Sequence, residues 1–329
     1  MLSTALTRAL AIDHPIIQAG MSSDCGARLA AAVSNAGGLG TVGSLGRSPD
    51  DLEQELAAVA AATSRPWSVN LATFEWSPFA DTLVDVAIRA RPPVLTLSFG
   101  NTVAALERCQ AAGLKAIVQV QDFGTAQAVV AARPFAIVVQ GNEAGGHTGQ
   151  RGTLSFVAQV LAIAGETPVI VAGGIGDGRG LAAALAMGAS GALMGTRFKA
   201  TPEFGSPSTG HLDAQRDAIV AQDGDHTVGA VTADVALGMT WPRGIISRVL
   251  ANRFTDEWHG REEELRAEVS RQAGPFGWTS ANNNRPENML NWAGESSGLV
   301  HEVLPAAEVV RRTASEAEAL LRKVGAVLA

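Results

Sequence analysis

Between Pro15 and Thr196 the chain repeats one unit: a short apolar run, an alanine-rich stretch with helical spacing, and often a glycine to close it. The runs are Ile16 to Ala19, Gly38 to Val42, Trp67 to Leu71, Val94 to Ser98, Ala116 to Val120, Ala136 to Gln140, Val169 to Ala172 and Ala192 to Met194. They are continuous rather than alternating, the pattern of strands buried on both faces. Helices are predicted between them. Asp24 to Asn35 stops at Gly37-Gly38, Asn101 to Ala112 at Gly113, and Asp177 to Met187 at Gly188. Ser48-Pro49-Asp50-Asp51 opens a further helix to Ala62 with a capping hydroxyl, a proline in the first turn and two acids at the positive end. Eight such alternations predict an α/β chain folded as a (β/α)₈ TIM barrel. A doubly wound open sheet, which needs only about five or six strands, is the runner-up.

Beyond Lys199 the rhythm is lost. The stretch from Glu203 to Asn291 carries Trp241, Trp258 and Trp278, with Trp292 just past it, an acid-rich helical segment from Trp258 to Gln272, and a polar turn from Ser280 to Pro286. It reads as an insertion of irregular and helical structure after the eighth strand. The expected division is therefore a barrel from 1–202 and 292–329, and a lid subdomain from 203–291 over the barrel mouth. Pro305 to Leu321 reads as the helix that closes the ring.

Composition removes several functional classes. The 25 Lys+Arg against 32 Asp+Glu give a net charge of −7, a poor match for nucleic acid or an anionic membrane. No apolar stretch reaches the length of a membrane span or a signal-peptide core. The two cysteines, Cys25 and Cys109, make neither a disulfide framework nor a zinc site, so a reducing cytoplasmic setting is expected. His14, before Pro15 at the barrel bottom, reads as structural; His211, His226, His259 and His301 share no ligand spacing, and Asp223-Gly224-Asp225 lacks the remainder of a calcium loop, so no metal is expected.

In a barrel, chemistry collects where the strands end. Those ends turn polar or glycine-rich: Gln18 to Met21, Gly43-Ser44, Asn70, Ser98, Gln119 to Asp122, Gln140 to His147, Gly173-Gly174 and Gly195-Thr196. Such a rim suits a sizeable polar ligand. Gly173-Gly174 and Met194-Gly195-Thr196, at the ends of the last two strands, read as a phosphate grip in which bare backbone N–H groups reach phosphate oxygens. A pair of tight turns is the alternative. Arg197 and Lys199 either add charge to the grip or sit on the surface. In Gln140 to Gly149, the small residues Ala144, Gly145 and Gly146 let a flat ligand lie against the backbone, with His147 beside it as an acid–base candidate. A purely structural loop histidine is the competing reading. Cys25 reads as a packing residue.

These motifs resemble the nitronate monooxygenase family, metal-free barrels that use FMN. The markers run in order: Pro15-Ile16-Ile17-Gln18-Ala19-Gly20-Met21, Ala32 to Gly40, Val69-Asn70-Leu71, Glu143 to His147, Ala172-Gly173-Gly174-Ile175 and Met194 to Phe198. The resemblance implies that Gly20, Met21, Asn70 and Gln140 contact the flavin ring and ribityl chain. It places Gly145, Gly146, Gly173, Gly174, Met194, Gly195 and Thr196 around the ribityl and phosphate, and His147 on the substrate side as the catalytic residue. The implied reaction is oxidation of alkyl nitronates by O₂ to a carbonyl compound and nitrite. Small-molecule substrate and O₂ are then the partners, with a homodimer left open. Two departures stand out: Gly20 replaces a proline common in relatives, and Gly205 to Ser280 matches no general family motif. FMN-dependent NAD(P)H reductases of quinones or enoyl thioesters share the Glu-Ala-Gly-Gly-His run and give the alternative activity. A non-flavin lyase or isomerase of a phosphorylated metabolite would use the same grip.

Overall fold

A computed structural model describes residues 2–74, 79–205, 212–272, 274 and 286–326. Eight parallel strands form one sheet: β1 (Ile16–Gln18), β2 (Gly40–Gly43), β3 (Trp67–Thr73), β4 (Val94–Gly100), β5 (Ala116–Val120), β6 (Ala136–Gln140), β8 (Val169–Ala172) and β9 (Gly191–Met194). Their order is β1-β9-β8-β6-β5-β4-β3-β2, and a parallel bridge from Ile17 to Leu39 brings the first strand back to the second. The sheet therefore closes into the expected barrel.

The continuous apolar runs follow from this closure, because every strand is covered on both sides. Ile16, Ile137, Val169 and Val171 point outward into the layer beneath the helices. Their neighbours Ile17, Val138, Ile170 and Ala172 point inward and meet Leu39, Val94 and Ile117 inside the barrel. The strand period of two thus divides an unbroken apolar string between two cores. The inner core is stoppered by an N-terminal helix, Ala5–Leu10, which contributes Leu6 and Leu10. Its six residues are too few for a periodic signal, and it is held by a Thr4–Thr7 capping box.

The outer helices begin where the caps indicate. Ser48 and Asp51 form a capping box for Pro49–Ala62, and Asn101, Asp122 and Asp177 accept backbone N–H groups at three later helix starts. Ala306–Gly325 packs against Gly178–Ala186 and Ala27–Asn35, completing the ring.

A second sheet was not foreseen. The short strand β7 (Gly146–Thr148) pairs antiparallel with β11 (Ile246–Leu250), which pairs with β10 (Thr227–Ala230). Behind it, Val235, Val249, Phe254, Leu265, Val269 and Leu290 make a small separate core. The helix expected over Trp258 to Gln272 is instead two, Arg253–Trp258 and Glu262–Arg271. Extended backbone at His259 and a left-handed Gly260 (φ 83°) break it, while Asn252 caps the first helix earlier than the acidic pattern suggested. The turn expected from Ser280 lies outside the described residues up to position 285, and Pro286–Asn288 is a 3₁₀ turn. Among the described residues no helix is long and apolar enough to cross a membrane.

Candidate active site

A cavity of about 320 Å³ opens at the C-terminal ends of the barrel strands. It is lined by Gly20, Met21, Asn70, Gln140, Gly145, Gly146, His147, Gly173, Gly174, Gly195 and Thr196, residues on or just after five of the barrel strands together with the short segment Gly145–His147. Met194 is the exception. Its side chain is fully buried in the layer under the helices, because inward and outward positions alternate, and Leu193 takes the cavity position in its place. Only the Met194 carbonyl reaches the rim, where it accepts the Ala19 N–H.

The polar floor is pre-ordered. Gln119 and Gln121 both donate to Gln140 Oε1, at 3.0 and 3.2 Å, which fixes the orientation of that amide. Asn70 Nδ2 donates to Ser98 Oγ at 3.2 Å. Gly20 lies so close to Asn70 that an added Cβ would stand 2.4 Å from the Asn70 Cβ, so this amide needs a bare neighbour.

The glycines differ in what requires them. Gly173 and Gly174 have φ of 100° and 77°, values that disfavour side chains. At Gly145 a Cβ would collide with the backbone of Ala293 and Gly294 at 2.4 and 2.5 Å. Gly195 has an ordinary φ of −107°, and its missing Cβ would meet nothing nearer than Met21 Sδ at 3.5 Å. Protein packing does not demand a glycine there. A ligand lying against the chain would.

His147 stands in the middle of β7, and its cross-strand partner is Ser247 on β11. Nε2 lies 2.7 Å from Asp234 Oδ1. Asp234, on the short helix Thr232–Ala236, is 2 % exposed, and its Oδ2 has no hydrogen-bond partner among the described residues. One face of the imidazole is covered by Trp241, stacked at 3.5 Å between centroids and 15° between planes. Trp241 is itself held edge-on by Phe74 and Phe99, at 4.4 and 5.2 Å. With Nε2 committed to the carboxylate, Nδ1 is the nitrogen left for chemistry. The histidine is thus clamped by residues about ninety positions further along the chain.

Neither Arg197 nor Lys199 is a surface residue; they are 6 % and 5 % exposed. Arg197 turns away from the cavity and donates to the Glu302 carbonyl at 2.8 Å. Lys199 lines the cavity, donates to the Trp292 carbonyl at 3.2 Å and lies 5.7 Å from the Phe204 ring centroid. Burial pulls its pKa down to about 8. Cys25 is sealed in the core, where burial pushes the thiol up to about 12. Asp223 Oδ1 accepts the Asp225 N–H at 3.0 Å and holds His226 at 2.9 Å, the geometry of a closed turn.

Asp234, Trp241, Leu237, Met239 and Trp292 are cavity or clamp residues that the strand-end reading missed. The concentration of tryptophan after Lys199 was the available signal. Asp234 had none, because its pairing depends on the β7–β11 register.

A closed barrel with a glycine-lined, partly apolar cavity at its C-terminal rim and a histidine–carboxylate pair in the wall defines a (β/α)₈ barrel with a candidate active site at the strand ends. The family described as nitronate monooxygenase matches residues 3–82 and 72–316, and the chain belongs to that family. A probable nitronate monooxygenase of Staphylococcus aureus is 33% identical over 304 residues, covering 79% of this chain and 81% of that one. A (3aS,4S,5R,7aS)-5-hydroxy-7a-methyl-1-oxo-octahydro-1H-indene-4-carboxyl-CoA dehydrogenase of Mycobacterium tuberculosis is 40% identical over 208 residues. That match spans 63% of this chain and 58% of the dehydrogenase. FabK from Thermotoga maritima superposes with a TM-score of 0.84 at 32% identity, covering 99% of this chain and 100% of that one. Nitroalkane oxidase from Streptomyces ansochromogenes superposes with 0.79 at 28%, covering 98% and 99%.

Proposed function

We propose that this chain binds FMN in the rim cavity and oxidises alkyl nitronates with O₂ to carbonyl compounds and nitrite. The space beside Gly195, bare without a packing reason, supports a cofactor lying against the backbone. In this reading Gly173, Gly174, Gly195 and Thr196 hold the phosphate, and Gly145 and Gly146 flank the ribityl chain. Gly20, Met21, Asn70 and Gln140 seat the ring. Bound FMN supplies a two-electron acceptor that O₂ reoxidises.

The His147–Asp234 pair is the observation that carries the catalytic part. Protonated, His147 offsets the negative charge of a bound nitronate. Neutral, it removes the proton beside the nitro group of a nitroalkane through Nδ1, and Asp234 stabilises the imidazolium that results. The segment 203–291 acts as the lid, since it supplies Asp234, Trp241, Leu237 and Met239 to the site. His147→Ala tests the assignment. The variant should keep its FMN but lose roughly 10²–10⁴-fold in turnover of neutral nitroalkanes, and less with preformed nitronates. Wild-type rates on both would make His147 structural.

A second reading, NAD(P)H-linked turnover of an acyl thioester, is favoured by the 40% identity to a carboxyl-CoA dehydrogenase. Reduction of the bound flavin by NAD(P)H alone would support it.

A further inference from the structure

We propose that a second pocket, between two outer helices and behind the rim cavity, binds a small organic monoanion through Arg197. The site is independent of the reaction assigned to the rim.

The pocket, of about 500 Å³, lies where Gly178–Ala186 packs against Ala306–Gly325 and the chain returns through Leu299 to Leu304. It shares no lining residue with the rim cavity. The short helix Thr196–Lys199 stands between the two. Thr196 and Lys199 line the rim cavity, and Arg197 lines the outer pocket.

Arg197 is a buried cation with a donor unspent. It is 6 % exposed, its Nη1 donates to the Glu302 carbonyl at 2.8 Å, and its Nη2 is buried with no hydrogen-bond partner among the described residues. The carboxylates in the same wall are engaged elsewhere. Asp177 accepts the N–H groups of Arg179 and Gly180 and pairs with the Arg179 guanidinium at 3.1 Å. Glu316 accepts the Gly178 N–H at 3.2 Å, and Glu302 pairs with Arg312 at 2.7 Å. Burial holds the Arg197 pKa below the ordinary arginine value, and Glu302 opposes that shift from beyond ion-pair distance. A guanidinium stays charged even so, and a buried charge without a counter-charge is costly. An oxyanion in the pocket supplies both the missing acceptor and the missing charge.

The wall sets the class of ligand. Arg179 and Arg312 are offset by their own carboxylates, which leaves Arg197 as the free cation and Glu316 as a charge that repels a dianion. One negative charge fits, and a phosphate dianion does not. Leu299, Leu304, Val309 and Leu320 line the remainder and suit an aliphatic body. The inferred ligand is an aliphatic carboxylate.

Calorimetric titration of the purified protein with hexanoate, hexanamide and inorganic phosphate tests this without turnover. Wild type should bind hexanoate more tightly than either control. Arg197→Met should weaken hexanoate roughly 10- to 100-fold. Ala319→Trp should do the same without touching Arg197, because it fills the pocket from an exposed position on the last helix. Lys199→Met, on the rim side of the short helix, should leave hexanoate affinity unchanged. Far-ultraviolet circular dichroism confirms that each variant is folded. The proposal is overturned if wild type does not bind hexanoate, if phosphate or hexanamide binds as tightly, or if Ala319→Trp binds hexanoate like wild type. Hexanoate binding lost in Lys199→Met but kept in Arg197→Met would place the anion in the rim cavity and also overturn it.

Discussion

Replacing Asp234 by Asn removes a charge from His147 while keeping an acceptor of the same shape. The carboxylate is 2 % exposed and its Oδ1 stands 2.7 Å from Nε2, so the bond is short and shielded from water. When His147 takes a proton from a nitroalkane, the neutral ring becomes a cation, and the carboxylate strengthens its hold only then. A hydrogen bond to a charged group is worth about 1.5–3 kcal/mol, roughly 10- to 150-fold in rate. Asp234→Asn should therefore lower kcat/KM for a neutral nitroalkane by that factor, and for the preformed nitronate by clearly less, because no proton has to be removed. Asp234→Ala should lose more, since it abolishes the acceptor as well, and Asn should recover part of that loss. The assay is paired steady-state kinetics on nitroalkane and nitronate, with bound FMN measured spectroscopically in each variant. An Asp234→Asn enzyme that holds FMN and turns over nitroalkane at the wild-type rate would refute the coupling. Equal losses on both substrates together with lost FMN would reduce Asp234 to a structural residue.

Lys199 predicts a gain in stability on replacement. Its folded pKa is about 8 against an ordinary 10.5, so between those values the unfolded chain binds the extra proton and stability rises with pH. Burial disfavours the charged form of Lys199, so Lys199→Met should raise the urea midpoint near pH 7 while flattening the rise above pH 8. A lower midpoint would contradict this cost of burial. The cavity glycines should separate into two kinds. Gly145→Ala drives a Cβ into the Ala293 backbone and should cost about 1–3 kcal/mol in denaturant melts of the apoprotein. Gly195→Ala makes only ordinary contacts, with Met21 Sδ at 3.5 Å and Ala19 Cβ at 3.7 Å, and should leave that stability within about 0.5 kcal/mol, yet weaken FMN in equilibrium dialysis. Unchanged FMN affinity in Gly195→Ala would remove the cradle.

The barrel was legible because its signal is local and repeated. Each apolar run, each cap such as Ser48 or Asp177 and each closing glycine reports on a few adjacent residues. Part of the rim was legible for the same reason: once the strands were placed, Gln140 and Gly173 had to fall at their ends, whereas Asn70 lies midway along β3, which runs on to Thr73. Met194 shows the limit, since one position along a strand exchanges cavity for core. The clamp on His147 was out of reach. Asp234 and Trp241 are brought to it by β7 pairing with β11 across about a hundred residues, and nothing in a three-residue strand announces its partner. Lys199 was ambiguous because a lysine after a strand end is ordinarily solvated. Its buried neighbours include Phe204, five residues further on, and Trp292, whose approach across more than ninety residues no local pattern announces.

Anaerobic mixing of the purified holoprotein with an alkyl nitronate tests the central claim most directly. The visible flavin absorption should bleach on mixing, and return with formation of nitrite and a carbonyl compound when O₂ is admitted. Absorption untouched by nitronate but rapidly bleached by NAD(P)H alone would contradict nitronate oxidation and make the chain a reductase.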